Sequence, residues 1–105
     1  MPTYIIMSKW TQQGLQNIKQ SPTRLDAARK AYEAVGIKMT AFFMTTGRYD
    51  MVAILEAADD VTFATALLAN ASQGSFTTET CRAFPEDEYR QIIGGLDAVH
   101  HPKVR

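Results

Sequence analysis

Aromatic and β-branched residues dominate positions 4–10, which predicts a first strand. Thr11 can cap a short helical turn over 13–18, a turn that Gly14 weakens. Ser21-Pro22 predicts a helix start: Ser21 accepts from a free backbone N–H, and Pro22 suits the first helical position. Leu25, Ala28, Tyr32 and Val35 then recur at helical spacing, and Gly36 is the stop. Residues 37–45 predict a second strand, Gly47-Arg48-Tyr49-Asp50 a turn and 51–57 a third strand, hence an antiparallel hairpin. Asp59 and Asp60 offer a cap for another helix, with Phe63, Ala66, Leu67 and Asn70 or Ala71 on its periodic face and Gly74 at its end. Residues 75–84 predict a fourth strand. Pro85-Glu86-Asp87-Glu88 opens a short last helix, where acidic residues suit the positive end of the helix dipole, and Gly94-Gly95 closes it.

The order strand, helix, strand, strand, helix, strand predicts an α+β fold, the ferredoxin-like βαββαβ sandwich. Right-handed crossovers then put both long helices on one face of a single four-stranded antiparallel sheet. A chain of 105 residues fits one domain. The reading assigns 1–96 to that domain and 97–105, with His100-His101, to a polar tail.

The second sheet face has no helices to cover it, yet the strands are apolar on both parities. Ile37, Met39, Ala41 and Phe43 fall on one side of the second strand, and Phe42 and Met44 on the other. In the third strand Met51, Ala53 and Leu55 oppose Val52 and Ile54. A solvated face alternates more cleanly than this. A second copy of the sheet is the simplest cover, so the chain is expected to be a homo-oligomer, with a twofold dimer as the default and larger assemblies open.

Bulk properties narrow the partners. Hydrophobic residues make up 46% of the chain, a globular share. Lys plus Arg and Asp plus Glu number 11 each, so the net positive charge that drives phosphate-backbone binding is absent and no nucleic acid is expected. The first residues lack a basic segment followed by a long apolar one, and no apolar run approaches the ~20 residues of a membrane span. The one cysteine, Cys81, can form no intrachain disulfide and is expected to be a buried, inert thiol. The expectation is a soluble cytoplasmic protein without membrane contact.

A set of residues along the chain is familiar: Tyr4-Ile5-Ile6, Trp10-Thr11, Gly14, Asn17-Ile18-Lys19, the run Ser21-Pro22-Thr23-Arg24-Leu25-Asp26-Ala27-Ala28-Arg29, then Gly47-Arg48-Tyr49-Asp50, Glu79-Thr80 and Arg82-Ala83-Phe84. Taken in order, the set resembles the GYD domain family, whose Gly-x-Tyr-Asp signature Gly47-Arg48-Tyr49-Asp50 matches. The resemblance covers about 3–94. It implies a dimeric α/β barrel, two ferredoxin-like sheets assembled face to face. It implies no particular reaction.

Candidate chemistry gathers at the hairpin. Tyr49 and Asp50 can present a donor and an acceptor at the mouth of the sheet face, where Asp50 can act as a base or hold a ligand's hydroxyl or amine. The competing reading is turn chemistry, with Gly47 at positive φ and Asp50 bonding back to the backbone. Ser8, Trp10, Arg48 and Glu56 complete the candidate ligand-binding set with Tyr49 and Asp50. Glu79 and Arg82 have opposite parity and cannot enter one cavity without a bulge. There is no phosphate-binding glycine loop, nucleophile elbow or HExxH helix, and His100-His101 lacks zinc spacing, so neither cofactor nor metal is expected. Three functions stay open. The chain can be an oligomeric module binding a small ligand or a protein, a cofactor-free dimeric α/β-barrel enzyme such as a small oxygenase or isomerase with Tyr49 and Asp50 as catalytic candidates, or a structural assembly subunit.

Overall fold

The computed structural model describes residues 1–99, so the His100-His101 pair lies outside the described residues. Strands β1 (Thr3–Trp10), β2 (Lys38–Met44), β3 (Met51–Glu56) and β4 (Phe76–Ala83) form one antiparallel sheet in the order β2-β3-β1-β4. Helices α2 (Ser21–Ala34) and α3 (Asp60–Ala71) are the two crossovers; α1 (Gln12–Gln16) precedes α2, and α4 (Glu86–Gly94) follows β4. This is the ferredoxin-like order and pairing expected of the sequence. No helix of the described residues is long and apolar enough to cross a membrane.

Local chemistry accounts for most boundaries. Thr11 accepts from Gly14 N–H at 3.1 Å and caps α1, while Asp59 accepts from Thr62 N–H at 2.8 Å and caps α3. Gly36 after α2 has φ +80°, a left-handed stop that a side chain disfavours. Ser21 departs from its expected role. A 3-10 turn at Ile18–Gln20 runs straight into α2, and Ser21 N–H already bonds to Ile18 O. Ser21 therefore takes helical angles as the first residue of α2, and Gln20 stands at the cap without a side-chain bond.

The core lies between the sheet and α2/α3. Tyr4, Ile6 and Leu55 from the sheet are buried against Tyr32 of α2 and Phe63 of α3, with Ile37 sealed in at the entry to β2. Tyr4 and Phe63 stack with ring centroids 3.8 Å apart and planes within 5°. The Tyr4 hydroxyl donates to the Asp60 carboxylate at the start of α3.

Register fixes which side chains share a face. Ile6 pairs with Ala53 and Thr80, and Tyr4 with Leu55 and Arg82, on the helix side. Ile5 pairs with Ile54 and Cys81, and Met7 with Val52 and Glu79, on the outer side. The simple alternation expected for β2 fails because a bulge intervenes between Met39 and Ala41. Past it the parity reverses: Phe42 opposes buried Ala53 and packs against the core, while Phe43 opposes Val52 on the outer face. Cys81 also corrects its expectation. It lies on the outward parity of an edge strand beside Ile5 and is exposed.

The outer face thus carries Ile5, Met7, Ala41, Phe43, Val52 and Ile54, with no helix over it. Helix α4 does not cover it either. Its residues are exposed apart from half-buried Glu88, which lies 3.7 Å from Arg82. The molecule measures 60 × 31 × 21 Å with a radius of gyration of 17.2 Å, against about 13 Å for a compact chain of this length.

Candidate functional site

The hairpin residues serve first to hold the end of the sheet. Asp50 N–H donates to Ser8 O at 2.8 Å, its carbonyl accepts from Thr45 N–H at 2.8 Å, and its carboxylate accepts from Trp10 N–H at 3.0 Å. One residue therefore ties β1 and the two hairpin arms together. Gly47 has φ +113°, which the turn needs and other residues avoid. Tyr49 O accepts from the Thr45 hydroxyl at 2.6 Å. Its own hydroxyl crosses to β4 and donates to Glu79 Oε2 at 2.8 Å. That bond to a carboxylate raises the phenol's pKa above its ordinary value, desolvation adds to the rise, and Arg48 opposes it. The Arg48 guanidinium sits 5.6 Å from the Tyr49 ring centroid.

The six candidate ligand-binding residues fall into separate places. Tyr49 reaches Glu79 on the outer side, and Arg48 stands over its ring. Glu56 is on the outer side at the far end of β3, opposite Thr3 and Lys38. Five residues of strand separate it from Met51, about 17 Å at ~3.3 Å per residue. Ser8 and Trp10 belong to the helix side, where both line a cavity of about 90 Å³ between the sheet and α2/α3. Asp50 reaches that cavity's wall only through backbone groups, its N–H donating to Ser8 O and its carboxylate accepting from Trp10 N–H.

The cavity contains groups that the sequence pattern did not single out. Arg24, from the first turn of α2, lines it with Tyr32, Asn70 and Ser75. Arg24 Nη1 donates to Asn17 O at 3.0 Å; its Nη2 is buried and has no partner among the described residues. Asn70 Nδ2 donates to the Tyr32 hydroxyl at 3.2 Å, which counters the upward push that burial gives the Tyr32 phenol. Arg24, Ala28, Tyr32, Asn70 and Gln73 also line a wider groove of about 510 Å³ between α2 and α3, so the cavity and the groove share these side chains as a wall. The signal in the sequence was spacing. Arg24 stands four and eight residues before Ala28 and Tyr32, a cation on the apolar stripe of α2.

The surface of α4 is the other unpartnered element. Tyr89, Ile92 and Ile93, followed by Leu96, leave their apolar side chains exposed. Positions 89, 92, 93 and 96 are spaced as one helical face.

Comparison with known proteins places the chain. A family model described as GYD domain matches residues 4–93. A protein of Thermus thermophilus, the glutamine synthetase and cystathionine beta-lyase binding protein, is 36% identical over 86 residues, covering 81% of this chain and 90% of that one. No solved structure matches.

Proposed function

The chain belongs to the GYD domain family, and from that premise we propose that it is a protein-binding module that works as a homo-oligomer. The observation that carries the reading is the apolar outer face of the sheet, over which no helix of the described residues lies. A second copy fits this face well. Its apolar centre at Ile5, Val52 and Ile54 is flanked by charges of both signs, Lys38 and Glu56 at one end and Lys9 and Glu79 toward the other. A twofold arrangement can therefore meet its own pattern without like-charge conflict. The chain's equal numbers of acidic and basic residues, 11 and 11, also spare two copies net repulsion.

Helix α4 is the surface we assign to a different protein. It projects from the body and exposes Tyr89, Ile92 and Ile93 in a helix-in-groove pattern. The Thermus relative is named for binding glutamine synthetase and cystathionine beta-lyase, and these two enzymes are the partners we propose. A single cysteine, unable to form an intrachain disulfide, fits the reducing cytoplasm where such enzymes work.

Tyr49 and Asp50 fit a holding role better than a catalytic one. The Asp50 carboxylate already accepts a backbone N–H, and the Tyr49 proton is already given to Glu79. The test is titration calorimetry with each purified enzyme from the same organism. The wild-type chain binds at least one of them, and Ile92→Glu abolishes that binding while leaving the chain's own assembly intact. Failure of both enzymes to bind overturns the assignment of partners.

A further inference from the structure

We propose that the cavity between the sheet and α2/α3 is a binding site for a small monocarboxylate with a short apolar body, its carboxylate held by Arg24. The proposal stands apart from the protein-binding reading and needs neither enzyme nor a second copy.

The cavity carries an unmatched positive charge. Arg24 brings a guanidinium, a cation that only donates. Its Nη1 is used by Asn17 O, and its buried Nη2 is without an acceptor among the described residues. Among the described residues no carboxylate lines the cavity. A buried charged donor with no partner is costly, and an anion beside it removes that cost. Further donors stand nearby. Ser8 and Ser75 are buried polar residues on the wall, and the Tyr32 hydroxyl, which accepts from Asn70, keeps its own proton to give.

The remaining wall is apolar, with Ile6, Leu25, Met39, Phe42 and Leu55 contributing. This favours one charge on a hydrocarbon body over a phosphate dianion, which would bring a second charge and more acceptor oxygens than the single cation answers. Size bounds the body. A space of about 90 Å³ is smaller than the ~150 Å³ that encloses a benzene and holds roughly three or four non-hydrogen atoms. The three-carbon chain of butyrate falls in that range when its carboxylate stays at the mouth. Arg24 lines both the cavity and the α2/α3 groove, which sets the carboxylate on the groove side and the chain inside.

Trp10 is the one tryptophan and lines the cavity, so its fluorescence reports occupancy directly. The experiment titrates the full chain with propionate, butyrate and the neutral butyramide. The expected result is a saturable Trp10 change with butyrate, at least about tenfold tighter than with butyramide, as one charge-assisted hydrogen bond supplies. Arg24→Met, checked for fold by circular dichroism, brings acid and amide to equal affinity. Nitrogen-15 spectra of the wild-type protein give a reading without mutation: the Arg24 guanidinium resonance shifts with butyrate and stays in place with butyramide. The absence of any saturable response to the acids, equal affinity of the wild-type chain for acid and amide, or an unmoved Arg24 resonance on acid binding overturns the site.

Discussion

Replacing Phe43 by Asp probes the outer face with little effect on the isolated fold. The β2 bulge turns Phe43 outward opposite Val52, and 57% of it stays exposed in the single chain. A phenylalanine buries ~150–250 Å² when fully enclosed, so the exposed share is about 85–140 Å², or roughly 2–3.5 kcal/mol at ~25 cal/mol per Å². Ordering the side chain offsets about 0.5–1.5 kcal/mol of that. A twofold interface uses the residue twice, leaving about 1–6 kcal/mol, or roughly fivefold to twenty-thousandfold in Kd. The carboxylate of Asp, forced toward an apolar partner, adds to the loss. Sedimentation velocity over a dilution series measures the Kd, with circular dichroism and thermal melting confirming the fold. We expect Phe43→Asp to melt like the wild-type monomer and to dissociate at least about fivefold more readily. A variant that assembles with wild-type affinity refutes the argument that Phe43 lies in the interface.

Gly14→Ala tests how tightly α1 closes on β4. A Cβ there would lie 2.1 Å from Ser75 O, the carbonyl that also accepts Thr11 N–H. We expect a net loss of about 1–3 kcal/mol despite the ~1 kcal/mol gain in helix propensity, lowering Tm by roughly 5–20 °C. Gly94→Ala, where nothing lies within 4 Å, serves as the control and loses no stability; a Gly14→Ala protein that melts at or above the wild-type temperature shows the contact to be slack. Tyr4, Tyr32 and Tyr49 all have pKa values raised above the ordinary tyrosine value, through the bond to Asp60, burial and the bond to Glu79 respectively. Because the fold favours their neutral forms, their contribution is fully present below about pH 10 and is lost as pH rises through the raised values. Phenolate absorbance should therefore lag that of the urea-unfolded chain, and coincident titration curves contradict the three assignments.

Most elements were legible because local and global signals agree. Thr11, Asp59, Gly36 and Gly74 act as cap or stop in the structure as their chemistry predicts. The misreadings have physical causes. The β2 bulge inserts a residue that no period-2 pattern reveals, so Phe42 and Phe43 exchange faces. The 3-10 turn before α2 carries Ser21 into helical angles, so Gln20 and not Ser21 stands at the cap. Candidate site residues chosen for polarity on strands scattered, because strand parity and position along the sheet decide convergence: Ser8 faces the helices, and Glu56 sits at the opposite end. The cavity's charge came from Arg24, read in the sequence only as part of a family-like run. Its meaning lies in contacts between elements far apart in the chain.

Cys81 provides the most direct test that a second copy covers the sheet. The thiol is exposed in the single chain, on the outer face beside Ile5. The measurement is its reaction rate with a thiol-specific reagent across a dilution series, with native mass spectrometry of the same samples. An outer-face assembly predicts slow labelling at high concentration, an even number of chains by mass, and a rise to the rate of the unfolded protein as dilution frees single chains. Rapid labelling at every concentration by a protein that keeps the mass of one chain contradicts the account.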